Sequence, residues 1–267
     1  MEKTNQNLCY NIKWVGYMYK NFIDCKNKIL RMIKFIQNEY EMLAENYSGE
    51  KIIKKSIPIK VSKNIDKKDK KQYEKMIYLT FYPILYKMSE MIDDNIIEWS
   101  EVSKQVDLKD IEEDKEKIVE LFYESCEKLY IYKKIRYNLF FDFLMQIYSF
   151  FEREMSKFII NNFNYKSDYI SLFSSIRIIE TNKNTTINSD VKQNLNLYRN
   201  IINVYKHGSG DSYEKIKSTN PDILNIIDYD NDMYFVLNLK KININQFINS
   251  IETMLNELES IMQKQVV

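Results

Sequence analysis

Glycine and proline are nearly missing from this chain, with four and three residues in 267. Both interrupt regular backbone, glycine through its conformational freedom and proline through its missing N–H. So few breakers, among 29% charged residues, favour long helices over turn-rich architectures. Cysteine is also sparse. Cys9, Cys25 and Cys126 are odd in number and widely spaced, and they read as free thiols in a reducing cytoplasm. Histidine occurs once, so a Cys/His zinc site lacks its donors and no metal is expected. The phosphate-cradling, dinucleotide-binding, serine-nucleophile and zinc-protease motifs are missing, and no cofactor is expected either. No apolar run approaches the roughly 18 residues of a membrane span, and residues 1–13 lack the apolar core of a signal peptide. The net charge of +1 gives no global nucleic-acid signature, so an RNA-directed role needs a local basic patch.

What is present is apolar and aromatic: 45% hydrophobic residues, with 21 tyrosines and 14 phenylalanines for a core or an interface. Residues 14–47 carry Val15, Met18, Phe22, Ile29, Met32, Ile33 and Ile36 at helical spacing, as one long helix or two with a bend. Residues 51–72 are rich in lysine and read as an exposed loop, or as a segment able to track a phosphate backbone. A second long helix is expected over 75–102, and a break at 107–110 divides an N-terminal helical region, 1–110, from a helical domain, 111–267. Residues 111–162 contain no glycine or proline and form one very long helix or two meeting near 132–138. A short helix follows over 169–180, then a polar loop over 181–188, with Ser189 or Asp190 as the cap of the next helix. Asp211 or Ser212 is placed to cap another short helix. Residues 233–239 are the one β-like run, enough for a short hairpin at most, and 244–262 form a final amphipathic helix. The fold class is all-α.

The chemistry concentrates in residues 197–210. Arg199, Asn203 and His207 recur every fourth position and share one helical face, whereas Ile201, Val204 and Tyr205 turn toward a core. Histidine exchanges protons near neutrality, and a guanidinium beside it can hold a phosphate in a fixed fork. Gly208 and Gly210 permit a helix stop and close backbone approach. The same residues also read as a helix end in which the imidazole merely meets the last carbonyls.

The run from Asn203 through Lys206 to His207 and Gly208 resembles the signature of HEPN domains, an all-helical family rich in RNases and toxins. Its motif is Arg, a polar residue, about three further residues, then His, often followed by Gly. Here Ile202 occupies the usual Arg position, and Arg199, two turns before His207, is the geometric substitute. The aromatic stretch 143–155 is similar to the HEPN helix whose glutamate lies near the histidine helix, with Glu152 as the match and Glu154 as the alternative. The resemblance covers roughly the C-terminal 150 residues, about one domain. It implies a C-terminal HEPN-like bundle and a homodimer whose two motif helices face each other. The implied activity is metal-independent cleavage of RNA, as a toxin or antiphage effector, with an antitoxin or a defence-complex protein as partner. His207 would then move protons, Arg199 would stabilise charge, and Asn203 would position phosphate or imidazole, supported by Glu152, Lys206 and Gly208. Ile202 and the near-zero net charge favour the other reading, a non-catalytic HEPN-like binding or scaffold subunit.

Overall fold

The computed structural model describes residues 2–46, 115–163, 165–225 and 236–264. Six α-helices lie among these residues: α1 Glu2–Asn46, α2 Lys115–Asn162, α3 Leu172–Lys183, α4 Ser189–His207, α5 Asp211–Thr219 and α6 Ile244–Gln263. Two single-turn 3-10 helices, Pro221–Ile223 and Leu239–Lys241, flank a lone antiparallel bridge between Leu224 and Leu237. That bridge is the β structure among the described residues, so the protein is all-α there. The expected helix over 75–102, the lysine-rich 51–72, the break at 107–110 and the β-like residues 233–235 lie outside the described residues. Of the alternatives for 111–162, the described part is one continuous helix. Among the described residues, no helix is long and apolar enough to cross a membrane.

The chain divides into two compact units. One comprises Met1–Glu39, Phe141–Leu237 and Lys241–Val267; the other comprises Tyr40–Phe140 with Asn238–Lys240. In the second unit, Tyr137 and Phe140 are buried, and Phe140 meets Tyr40 edge to face with ring centroids 6.2 Å apart.

The first unit carries the motif helix. Its spine is the second half of α2, where Phe141, Leu144, Tyr148, Phe151, Met155 and Ile159 recur at three- and four-residue steps and are all buried. The first 39 residues group with the C-terminal part because α1 lays the stripe Met18, Phe22, Ile29 and Ile33 into this core. Phe22 meets Phe158 edge to face at 5.3 Å. Polar bonds fix the register of α1: Asn21 Nδ2 donates to Asn162 Oδ1 at 2.9 Å, and Lys26 donates to Asn256 Oδ1 at 2.6 Å and to Glu259. Helix α6 buries Phe247, Ile251, Met254, Leu255, Leu258 and Met262 along one face. Tyr198 of α4 stacks on Phe247 at 4.6 Å and donates its hydroxyl to the Asn243 carbonyl.

Several helix starts differ from the sequence expectation: α1 begins at Glu2 rather than near 14, α3 at Leu172 rather than 169, and the caps of α4 and α5 are not the expected ones. The cap of α4 is Asn188, whose side-chain oxygen accepts the Asp190 N–H at 2.8 Å. Ser189 and Asp190 already belong to the first turn, where the acidic Asp190 complements the helix dipole. The Asn188 N–H donates to Glu257 at 2.9 Å, which ties the start of α4 to α6. Likewise α5 begins at Asp211 behind Gly210, which occupies the cap position and has no side chain to cap with, so Asp211 and Ser212 lie in the first turn.

Candidate functional site

Helix α4 sorts its side chains as the sequence spacing demands. Val191, Leu195, Tyr198, Ile201, Ile202 and Val204 are buried. Ile202 is only 3% exposed and belongs to the core packing. Arg199, Lys206 and His207 are exposed and Asn203 is half-buried. Tyr205 stacks on Phe141 of α2 with centroids 4.8 Å apart and 18° between planes. Its hydroxyl donates to Asp142 at 3.3 Å, and burial, then the charge and hydrogen bond of Asp142, push that phenol up to about 12.

The helix stops immediately after His207. Gly208 takes φ 72° and ψ −40°, and the Ser209 N–H returns to the His207 carbonyl at 2.9 Å. This is a γ-turn of the rare positive-φ kind, which a side chain would strain. Gly210, at φ 103°, continues the reversal into α5. The imidazole of His207 is left exposed, with no hydrogen bond or ion pair to a described residue.

Behind this turn, three polar side chains join α4 to α5. Asn203 Nδ2 donates to Ser212 Oγ at 3.3 Å, and Ser212 Oγ donates to Asn200 Oδ1 at 3.2 Å. Asn200 is buried, and a buried amide without partners would be costly. Sequence reasoning missed Asn200. Its one signal is a polar residue beside the apolar positions Ile201 and Ile202 of an amphipathic helix.

Arg199 and His207 share a face but not a point. Eight residues of α-helix separate them by about 12 Å along the axis and rotate one from the other by about 80°. Arg199 has neighbours of its own. Its guanidinium lies 5.8 Å from the centre of the Phe173 ring on α3 and makes no hydrogen bond or ion pair among the described residues. Glu152 belongs to this end of α4. It accepts the Leu172 N–H at 3.0 Å, capping α3 from the side. Burial, then Glu152, push the Tyr169 phenol up to about 12, while Arg199 pulls it down. The neighbouring Tyr148 phenol is pushed up by burial and by Glu152, against Arg199, and its hydroxyl is buried without a partner among the described residues.

Glu154, the alternative glutamate, is two residues on and so faces another side of α2. It is buried, takes Lys28 of α1 at 2.6 Å and Lys157 at 3.1 Å, and has Arg153 at 3.6 Å. Its role is to tie α1 to α2. Among the described residues, no three His, Cys, Asp or Glu side chains gather as metal ligands. No family model, no curated protein and no solved structure matches the chain.

Proposed function

We propose that this chain is a metal-independent endoribonuclease of HEPN type, acting as a toxin or antiphage effector, with a cleft assembled from two copies. The observation that carries this reading is an exposed, uncommitted imidazole and an exposed guanidinium on one helix, their backbone positions about 12 Å apart along its axis. Two turns of helix between them leave room for a second copy to complete each pair. Two antiparallel copies of α4, related by a two-fold axis, bring His207 of one against Arg199 of the other, and a symmetric interface makes two such pairs.

In the proposed reaction the RNA 2′-oxygen attacks the adjacent phosphorus and gives up its proton. The bond to the 5′-oxygen breaks, and that oxygen takes a proton. The products are a 2′,3′-cyclic phosphate and a 5′-hydroxyl. His207 serves as general acid or base, a role worth about 100- to 10,000-fold. Arg199 stabilises the charge that grows on the phosphoryl oxygens. Asn203 acts through Ser212, holding the turn that presents His207. The γ-turn at Gly208 fixes where the helix ends, and Lys206 adds a positive charge beside the imidazole.

An RNA digest of wild type, His207→Ala and Arg199→Ala, run beside melting curves and light scattering, tests this. Both variants should stay folded and lose cleavage, wild type should be dimeric, and cleavage should persist in EDTA. Wild type that cleaves nothing, or cleaves equally well without His207, sinks the proposal.

The second reading is a non-catalytic binding or scaffold subunit in a larger defence complex. It is favoured by Ile202, which packs in the core where the family's arginine would stand. The same digest decides, because a scaffold binds without cleaving.

A further inference from the structure

Three cations converge on one buried carboxylate. Lys28 Nζ lies 2.6 Å from Glu154 Oε2, while Lys157 Nζ lies 3.1 Å and Arg153 Nε 3.6 Å from Oε1. The carboxylate is buried, yet all three cationic side chains are more than half exposed. The ion pairs Lys26 with Glu259 and Lys192 with Glu180 each set one cation against one carboxylate. At Glu154 the ratio is three to one, so positive charge is left over. Phe150 adds a second hold. Its ring centre is 5.1 Å from the Arg153 guanidinium and 5.9 Å from Lys28 Nζ, an attractive approach in both cases. The charged heads are thus held in place before any ligand arrives, and less freedom remains to be lost on binding.

These cations border a groove rather than a flat surface. It encloses about 430 Å³ between α1 and α2, a size suited to a ligand. Lys28 and Lys157 line it, and it continues past them to Asn161 and the exposed ring of Tyr17. An ammonium has three N–H donors, and Glu154 takes one from each lysine. The others match phosphate oxygens, and the Arg153 fork can grip two of them at once. Arg153 and Lys157 stand one helical turn apart, about 6 Å along the axis, so successive anionic groups can be met in turn. A membrane presents a broad surface that cannot enter a groove, whereas a single nucleic-acid strand can. Positively charged grooves that track the backbone are how such strands are generally held. Asp24, exposed and one turn before Lys28, also lines the groove and lowers its positive excess.

We infer that Lys28, Arg153 and Lys157, arranged around Glu154, form a phosphate-tracking site for single-stranded RNA in the groove between α1 and α2. The inference rests on the ribonuclease reading for its ligand, and it adds where the strand runs. Helix α4 meets α2 through Tyr205 and Phe141, whereas the groove is centred on Glu154 and faces α1. Thirteen residues of α2 separate Phe141 from Glu154, about 20 Å along the axis. The strand is therefore held at a distance from the bond to be cut, by contacts that add affinity without reading sequence.

The test is fluorescence anisotropy with a labelled twenty-nucleotide oligouridylate carrying 2′-O-methyl groups, which has no hydroxyl to attack and cannot be cleaved. Wild type, Lys28→Gln, Arg153→Gln and Lys157→Gln are titrated at several salt concentrations, with a melting curve for each. Every lost phosphate contact should lower the slope of log affinity against log salt by about 0.7, which is about fivefold in affinity near 0.1 M salt. The triple variant should lower the slope by about 2. The matched oligocytidylate should lose as much, because phosphate contacts carry no sequence information. Lys192→Gln, at a balanced pair, should keep the wild-type slope. Asp24→Asn should bind more tightly than wild type, a gain that lost stability would not produce, and it decides the matter should a cation variant unfold. If wild type binds and the three cation variants keep its slope, the site is wrong and the ribonuclease reading stands. Weaker binding by Asp24→Asn overturns the site equally. If wild type binds no RNA at all, both fall together. If the cation variants keep the RNA slope but lose a labelled polyglutamate peptide that wild type binds, the groove serves an acidic protein and the RNA site is again overturned.

Discussion

Lys28 Nζ lies 2.6 Å from Glu154 Oε2, and the carboxylate it holds is buried while the lysine is half in solvent. The asymmetry decides which end of the pair matters. Removing Glu154 takes a buried group from three cations, Lys28, Lys157 and Arg153. Removing Lys28 leaves the carboxylate with the other two. Glu154→Ala should therefore cost about 2 kcal/mol, and Lys28→Ala less than about 1 kcal/mol, since its ammonium is screened. Urea denaturation of both variants and of the double mutant checks this. A larger loss for Lys28→Ala would contradict it.

The same carboxylate sets an acid limb of stability. Burial pushes the Glu154 carboxyl up, but the hydrogen bonds and charges of Lys28 and Lys157 outweigh it, so it sits below its ordinary 4.5. A depressed folded pKa means the unfolded state binds the proton more readily. The stabilisation is thus complete above 4.5 and is lost as pH falls from there through the folded value. Wild type should lose melting temperature over that window, and Glu154→Gln should show a shallower acid limb. Parallel acid limbs for the two proteins would show that Glu154 does not titrate this way.

Gly208→Ala tests the turn that presents His207. A Cβ there meets nothing within 4 Å, so the cost comes from backbone torsion alone at φ +72°. It should be about 1–3 kcal/mol. Because the strain relaxes by moving the residue before it, RNA cleavage should fall further than the melting temperature accounts for. A variant as stable and as active as wild type would mean that the turn does not govern the imidazole.

The helices were legible where one face is apolar over many turns. The stripe Met18, Phe22, Ile29, Ile33 and the run Phe247, Ile251, Leu255, Leu258 are buried as their spacing implies. The stop after His207 was legible too, since two glycines follow it and both take positive φ. The caps were less so. Asn188, Ser189 and Asp190 are all good caps, and sequence cannot say which side chain turns back to the backbone. Nor was the pairing of α1 with the C-terminal helices legible. It depends on contacts such as Lys26 with Glu259 and Lys28 with Glu154, more than a hundred residues apart, which no local pattern encodes. For the candidate site, the sequence offered Glu152 and Glu154 together. They are two positions apart on one helix, and only packing sends Glu152 toward the Arg199 end and Glu154 toward α1.

The proposed pairing of Arg199 with His207 across a two-fold axis is testable by mixing the two single variants. In the proposed dimer, Arg199→Ala leaves every histidine facing an alanine, and His207→Ala does the same to every arginine. A heterodimer of the two has one protomer with an intact histidine and its partner with an intact arginine. If the pair acts across the two-fold axis, that heterodimer holds one complete pair and one empty one. Mixing the variants, after brief partial denaturation to exchange subunits, should restore cleavage that neither shows alone. The recovered rate should rise with the fraction of heterodimer, followed by differential tagging. If Arg199 and His207 instead act within one chain, every protomer in the mixture lacks one of them and no cleavage returns. Efficient subunit exchange without any recovery would therefore rule out the composite cleft, whatever the wild-type activity.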